Sequence, residues 1–384
     1  MTQLNEAERD HVAAPPAGVL SSEQIKELIR QGCIQPASIP NENIQPSSVD
    51  LRLGKVGYRV PASFLLSKGG SVQDKLDGYA GDYYRFNIEK GAFLEAKKTY
   101  VFQLEESLSL PSTLKARSNP KSSTGRIDTF ARLITDDCTN FDNVAPGYKG
   151  GLYLIVYPMS FDIKVRSGIT LNQIRFSTTG NKHRLHLEEL QKVYTEEQLL
   201  YSKEGTPIPL NEAIVEEDGL FLTVDLEDDV VGYRSKKNAK PIDLTKHDHP
   251  MEEYWELVKR PKNGRLILDP DFFYILKSKE KIRIPLGYAC EMVDFHSGIG
   301  EFRSHYAGFF DPGFGYGERG EIKGSHAVLE LRMRDSPMEL MDGQIVVKMV
   351  FERMSRKPSI AYGVGIASNY QNQSLRLSKH FIME

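Results

Sequence analysis

Residues 117 to 126 of this 384-residue chain read Arg117-Ser118-Asn119-Pro120-Lys121-Ser122-Ser123-Thr124-Gly125-Arg126. Two cations, Lys121 and Arg126, flank adjacent hydroxyls, with a glycine beside them. That set suits a polyphosphate. Lysine gives a point charge, arginine a fork of donors, and short hydroxyl and backbone donors approach closely. The same composition also describes a solvated basic turn, and it is not a Walker loop, because GxxxxGK[ST] is absent. A second candidate lies in Ala327-Val328-Leu329-Glu330-Leu331. A carboxylate in an apolar strand has a raised pKa and can act as a general acid and base. The alternative is a strand glutamate paired with Arg332 or Arg334.

The elements that must position these groups are mostly short strands. From about 44 to 176, alternating runs such as Tyr100-Val101-Phe102-Gln103-Leu104 are separated by Gly, Pro and Asn turns. A second β-rich stretch runs from about 219 to 355, with a short helix expected near Glu252–Val258. Ser21 with Gln24 predicts a capping box ahead of a helix whose apolar face is Ile25, Leu28 and Ile29, stopped by Gly32. A helical stretch is expected over 184–202, with a second capping box from Thr195 to Gln198.

The two β-rich stretches repeat one another. Val49-Asp50-Leu51 followed by Gly57-Tyr58-Arg59 returns as Val224-Asp225-Leu226 followed by Gly232-Tyr233-Arg234, at an offset of 175. Pro146-Gly147-Tyr148 returns as Pro312-Gly313-Phe314, and Gly168 with Phe176 returns as Gly343 with Phe351. A near-constant offset predicts two copies of one β-domain. The expected organisation is a disordered leader over 1–18, a first domain over 19–180, a helical insertion over 181–215, a second domain over 216–355 and a polar tail over 356–384.

The copies have diverged in complementary ways. Where the first carries the Lys121–Arg126 run, the second reads Asp294-Phe295-His296-Ser297-Gly298-Ile299-Gly300-Glu301, without the lysine and arginine. Where the second carries Glu330, the first carries Ile155. Random decay would not leave matching halves, so the pattern predicts one composite site between the repeats.

Composition narrows the function classes. Lys and Arg number 49 against 52 Asp and Glu, a net charge of −3. That balance argues against a protein that coats nucleic acid or anionic membrane. No apolar run approaches the roughly 20 residues of a membrane helix, and the N-terminus lacks a secretory pattern. The three cysteines, Cys33, Cys138 and Cys290, form no CxxC pair. A reducing, cytoplasmic location is the expectation.

Taken together, these motifs resemble the dCTP deaminases of the dUTPase-like superfamily, in a tandem-duplicated form, over residues 19 to 375. Lys121-Ser122-Ser123-Thr124-Gly125-Arg126 is similar to the family's [RK]SSxxR triphosphate motif. Pro146-Gly147-Tyr148-Lys149-Gly150 is similar to its PGWxG turn, and Leu329-Glu330-Leu331 to the strand of its catalytic glutamate. The resemblance implies two mainly β, jelly-roll-like barrels in tandem. It implies hydrolytic, zinc-independent deamination of dCTP to dUTP and ammonia, as in pyrimidine deoxynucleotide biosynthesis. Glu330 would be the general acid and base, and Ser122 would place the water and base. Lys121, Ser123 and Arg126 would hold a triphosphate carrying Mg²⁺, the Ala307 backbone would meet the base, and Asp311 would support the turn. Asn369-Tyr370-Gln371-Asn372-Gln373 resembles the C-terminal lid, so Tyr370 and Gln373 would close over the nucleotide. A trimer-based homo-oligomer is implied. Gly308 and Phe309 depart from the family's usual His-Arg pair, and Asn369 from its lid lysine.

Three other functions compete. A zinc deaminase needs H-x-E followed by P-C-x-x-C; His186-Leu187-Glu188 supplies the first part, nothing supplies the second, and the residues read as one helix face. His247-Asp248-His249 lies in a Lys- and Pro-rich loop. A dUTPase, alone or combined with deamination to give dUMP, would use Asp311. A non-catalytic nucleotide sensor would bind without turnover.

Overall fold

The structure, a computed structural model, describes residues 15–79, 85–180, 182–216, 219–293, 302–304, 308–333, 335–364 and 370–383, with 302–304 as backbone only. It is mainly β. The chain divides into two compact units: unit 1 is 1–180 with 240–247, and unit 2 is 181–239 with 248–384.

Unit 1 opens with helix α1, Ser22–Arg30. Its capping box is formed, with the Ser21 N–H donating to Gln24 Oε1 at 3.0 Å, and Ile25, Leu28 and Ile29 are buried. Strand β1 (Val49–Val60) and helix α2 (Val72–Asp77) follow. Then come β2 (Thr99–Ser109), β3 (Leu114–Pro120), the single helical turn α3 (Ser122–Gly125), β4 (Thr129–Ile134), β5 (Lys149–Pro158) and β6 (Thr170–Thr178). The strands pair antiparallel in the order β4-β5-β2-β1-β6-β3. Register shifts between Leu53 and Gly57 on β1, and between Gln103 and Ser107 on β2, mark bulges that bend the sheet. The bent sheet brings its ends together: Asn172 Nδ2 on β6 donates to the Ala131 carbonyl on β4 at 2.9 Å.

Unit 2 contains helix α4 (Leu187–Glu197) and strands β7 (Gly219–Thr223), β8 (Val230–Ser235), β9 (Trp255–Lys259), β10 (Phe273–Ile282), β11 (Tyr288–Val293), β12 (Ser325–Met333), β13 (Ile345–Arg353) and β14 (Phe381–Ile382). One antiparallel sheet runs β9-β8-β10-β12 and another β7-β13-β11. Leu276, Leu329 and Leu331 of the first sheet pack with Leu222, Val347 and Phe351 of the second. Alternation explains the choice: these positions recur every second residue, so one sheet face is apolar throughout.

Several boundaries differ from the sequence expectations. Residues 1–14 lie outside the described residues, but Gly18 is ordered, its N–H bonded to Thr178 Oγ1 at 3.0 Å. The stretch expected as an insertion packs into unit 2, because Leu185, Leu190, Val193, Tyr194, Leu199 and Leu200 enter its core. Thr195 does not cap a helix; it sits inside α4 and donates back to the Gln191 carbonyl at 3.0 Å. His186 is the N-cap of α4 and not part of a helix face. The helix expected near 252–258 is one 3₁₀ turn over Met251–Glu253 followed by β9. His249 is buried against Tyr254, whose hydroxyl lies 3.3 Å from its Nδ1. Residues 240–247 belong to unit 1, where Ile242 N–H bonds the Asp162 carbonyl and Lys164 pairs with Asp243 at 2.9 Å. The tail is polar in composition, yet Leu377 and Phe381 are buried and β14 pairs with His249–Pro250. No helix among the described residues is long and apolar enough to cross a membrane.

Candidate active site

In unit 1 the polar run folds as a strand end, a turn of helix and a second strand. The Lys121 N–H closes on the Leu171 carbonyl of β6 at 3.0 Å, and the Thr124 and Gly125 N–H groups both return to the Lys121 carbonyl. Lys121, Ser122, Ser123 and Arg126 therefore stand on a single turn between β3 and β4. Ser122 is partly exposed; Ser123 and Arg126 are buried. The Lys121 ammonium forms an ion pair with the buried carboxylate of Asp50 on β1 and donates to Thr170 Oγ1 at 2.9 Å. Its charge is thus met by protein before any phosphate arrives. Asp50 was overlooked as a partner. The repeat carries no signal for it: the matching Asp225 is also lysine-bound, but by Lys277, whose ladder counterpart in unit 1 is Gln103 and not Lys121. Arg175 was overlooked as well; it faces Arg117 across β6 and β3 and adds cationic charge to that sheet.

In unit 2, Glu330 lies on β12 and is only 7% exposed. Ala327, Leu329, Leu331 and Met333 point into the core, so His326, Val328, Glu330 and Arg332 share the opposite face. Across β10 that face continues through Phe273, Ile275 and Lys277. Lys277 is buried between Asp225, at 2.8 Å, and Asp228, at 2.5 Å. Burial would raise Asp228, but bonding to Lys203 and Lys277 outweighs it and holds the carboxyl down at about 2. His326 is pushed down to about 4, first by burial and then by the charge of Lys277, and its Nδ1 lies 2.8 Å from the Ser278 carbonyl. The pair arrangement keeps a neutral imidazole beside a fixed ammonium.

One group of three potential metal ligands occurs among the described residues: Asp225, Glu227 and Asp342. Lys277 neutralises the first, and Lys279 pairs with the other two. These carboxylates are structural ion-pair partners.

The remaining predicted site residues divide. Asp311 is buried at the head of a turn in which the Phe314 N–H donates to the Asp311 carbonyl at 3.1 Å, and Gly313 supplies the left-handed φ of 97°. Tyr370 is buried, and its hydroxyl accepts the Lys379 N–H at 3.3 Å. Gln373 Nε2 donates to the His326 carbonyl at 3.1 Å, which ties the tail to the strand that bears Glu330. Ala307, Asn369 and the 294–301 segment lie outside the described residues.

The two units carry the same ladder with different chemistry. Tyr58, Val101 and Ile155 form one rung across β1, β2 and β5; Tyr233, Ile275 and Glu330 form the matching rung across β8, β10 and β12. In unit 1 that place is apolar. Ile155 belongs to a buried cluster with Val60, Val72, Leu76, Val101 and Ile134, against which Phe64 and Leu66 pack. Helix α2 supplies Val72 and Leu76.

A duplicated β-domain protein, with a cation-hydroxyl turn on one unit and a buried strand carboxylate on the other, is the class these features define. Comparison with known proteins narrows it. Residues 16–180 match the family model described as 2′-deoxycytidine 5′-triphosphate deaminase (DCD) N-terminal domain, and residues 186–381 match the corresponding C-terminal domain. The chain belongs to the 2′-deoxycytidine 5′-triphosphate deaminase family. The crystal structure of 2′-deoxycytidine 5′-triphosphate deaminase from Agrobacterium tumefaciens is similar at 39% identity and a TM-score of 0.80, covering 88% of this chain and 99% of that one. A "dCTP deaminase, dUMP-forming" of Dictyoglomus thermophilum is 34% identical over 166 residues, 41% of this chain and 79% of the relative. A "dCTP deaminase" of Natronomonas pharaonis is 24% identical over 164 residues, 41% of this chain and 80% of the relative. These two relatives are therefore about half the length of this chain.

Proposed function

We propose that this chain deaminates dCTP hydrolytically to dUTP and ammonia. The observation that carries the proposal is Glu330, a buried carboxylate on a strand whose matching rung in unit 1 holds isoleucine. Glu330 takes a proton from water, and the resulting hydroxide adds to C4 of the cytosine ring. Glu330 returns that proton to N3, then takes the proton of the new C4 hydroxyl and passes it to the departing amine, so that one water enters and one ammonia leaves. Ser122 places the water and the base, and the Ala307 backbone meets the base edge. Lys121, Ser123 and Arg126 hold the triphosphate, to which Mg²⁺ comes as part of the substrate. Lys121 acts from its pair with Asp50. Asp311 supports its turn, and Tyr370 and Gln373 cover the nucleotide. The divergence of the repeats supports assigning the phosphate-binding and proton-transfer halves to different units of one composite site, and with it a trimer-based homo-oligomer. None of the three cysteines forms a disulfide, which fits a cytoplasmic enzyme.

A second product is favoured by one finding: the Dictyoglomus relative is named dUMP-forming. In that case the same chain would go on to cleave dUTP. The test is incubation of chelator-treated protein with dCTP and Mg²⁺, following ammonia and nucleotides together. Ammonia with dUTP supports deamination alone, and ammonia with dUMP and pyrophosphate supports both steps. Bound dCTP without ammonia sinks the proposal.

A further inference from the structure

The turn that begins at Asp311 is held by a side chain that sequence analysis did not single out. Gln371 Oε1 accepts the Gly315 N–H at 3.0 Å. Its Nε2 donates to the Gly313 carbonyl at 3.0 Å and to the Tyr362 carbonyl at 3.1 Å. One planar carboxamide thus uses its acceptor and both its protons on three backbone groups from two segments.

The surroundings are built to receive it. The Tyr362 N–H donates to the Pro312 carbonyl at 2.8 Å, and Phe314 packs edge-on against Phe310 and tilted against Tyr362. Gly363 has a left-handed φ of 83°, and a Cβ there would come within 2.9 Å of the Gln371 side chain. The Gly315 carbonyl accepts the Gly324 N–H at 3.0 Å, one residue before β12 begins. Two residues beyond Gln371, Gln373 reaches the His326 carbonyl on that same strand.

We infer that Gln371 is a positioning residue. Its carboxamide sets the Asp311 turn and the C-terminal segment in one register, so that Asp311, Tyr370 and Gln373 meet the nucleotide as a single preformed surface. This rests on the deaminase reading above. The role demands glutamine: glutamate loses both donors, and alanine loses all three bonds.

The test is steady-state kinetics on dCTP for Gln371→Ala and Gln371→Glu beside the unaltered chain, with thermal unfolding of each. Disordered binding groups weaken ground-state and transition-state binding alike, so the expected result is KM raised about tenfold with kcat held within about threefold. A merely structural role reduces the number of folded molecules and lowers kcat at unchanged KM; that result overturns the inference, as do unchanged kinetics. Calorimetric titration with dCTP runs in parallel. If the unaltered chain binds dCTP without releasing ammonia, the deaminase reading fails while Gln371 is still judged by affinity. If the unaltered chain does neither, both fail.

Discussion

Ile155 and Glu330 occupy the same rung of two matching ladders, Ile155 opposite Val101 and Glu330 opposite Ile275. The identity of one side chain therefore separates a buried apolar cluster from a buried carboxylate on otherwise equivalent strands. In unit 1 that place is filled with apolar side chains: Ile155 belongs to one buried cluster with Val72 and Leu76 of α2, against which Phe64 and Leu66 pack.

The first prediction follows from that filling. Ile155→Glu should not create a second active centre. It buries a carboxyl among aliphatic and aromatic groups without a partner, and should cost about 3 kcal/mol of stability. Urea unfolding and ammonia release per chain together check it. A doubled turnover with unchanged stability would show that the two rungs are interchangeable.

Much of this architecture was legible in the residues. Val-Asp-Leu is buried in both copies, and Gly-Tyr-Arg lies on β1 in unit 1 and on β8 in unit 2, so the repeat marks equivalent places in the two units. The capping box at Ser21 and Gln24 was legible because it is local. What failed was long-range or conditional. Lys121 meets Asp50 only because β1, β6 and β3 pair in a fixed register, and 71 positions separate the two in the chain. α4 enters the core through Leu190, Val193 and Tyr194, joined by Leu185 and Leu199 beyond its ends, while the polar remainder of the helix misleads. Gln371 sits in a Ser-, Asn- and Gln-rich tail where composition implies solvent, while its geometry is dictated by the glycines at 313, 315 and 363.

The Lys121–Asp50 pair makes a second prediction. Lys121→Met leaves the Asp50 carboxylate buried without its ammonium, which should lower stability by about 1–3 kcal/mol. Adding Asp50→Asn should recover part of that loss, since removing both charges avoids an unpaired one. Denaturant melts of the two single variants and the double variant provide the cycle. No loss in the first variant would mean that the pair is idle and that Lys121 is kept for phosphate alone.

For the chemistry itself, Glu330→Gln should lower kcat by about 10²- to 10⁴-fold while dCTP still binds, because proton transfer is lost and shape is kept. Arg126→Ala should instead raise the dissociation constant. Mixing the two impaired proteins, at a dCTP concentration where neither alone releases ammonia, checks whether the halves are supplied by separate chains: recovered ammonia release shows exchange, and continued silence shows that each chain completes its own set. A Glu330→Gln protein that turns over normally would remove the carboxylate from the mechanism.

Acid should act on unit 2 through His326. An unfolded histidine titrates near 6.5, whereas burial beside Lys277 brings this one down to about 4. Between those values the unfolded chain holds a proton that the folded chain does not. Stability therefore rises with pH across the window and is lost as pH falls from 6.5 toward 4. Asp142 in unit 1 works in the opposite sense. Burial raises it from 3.8 to about 6 despite its pair with Arg132, so the folded chain holds the extra proton there and gains stability on acidification. The whole-protein profile mixes the two signs, and the histidine must be isolated by substitution. His326→Asn keeps an N–H near the position of Nδ1 for the Ser278 carbonyl and cannot titrate. Taking each protein from about pH 7 to about pH 4.5 in urea unfolding, the unaltered chain should lose up to about 3 kcal/mol more than the variant. Equal losses would mean that His326 keeps an ordinary pKa and that Lys277 does not reach it.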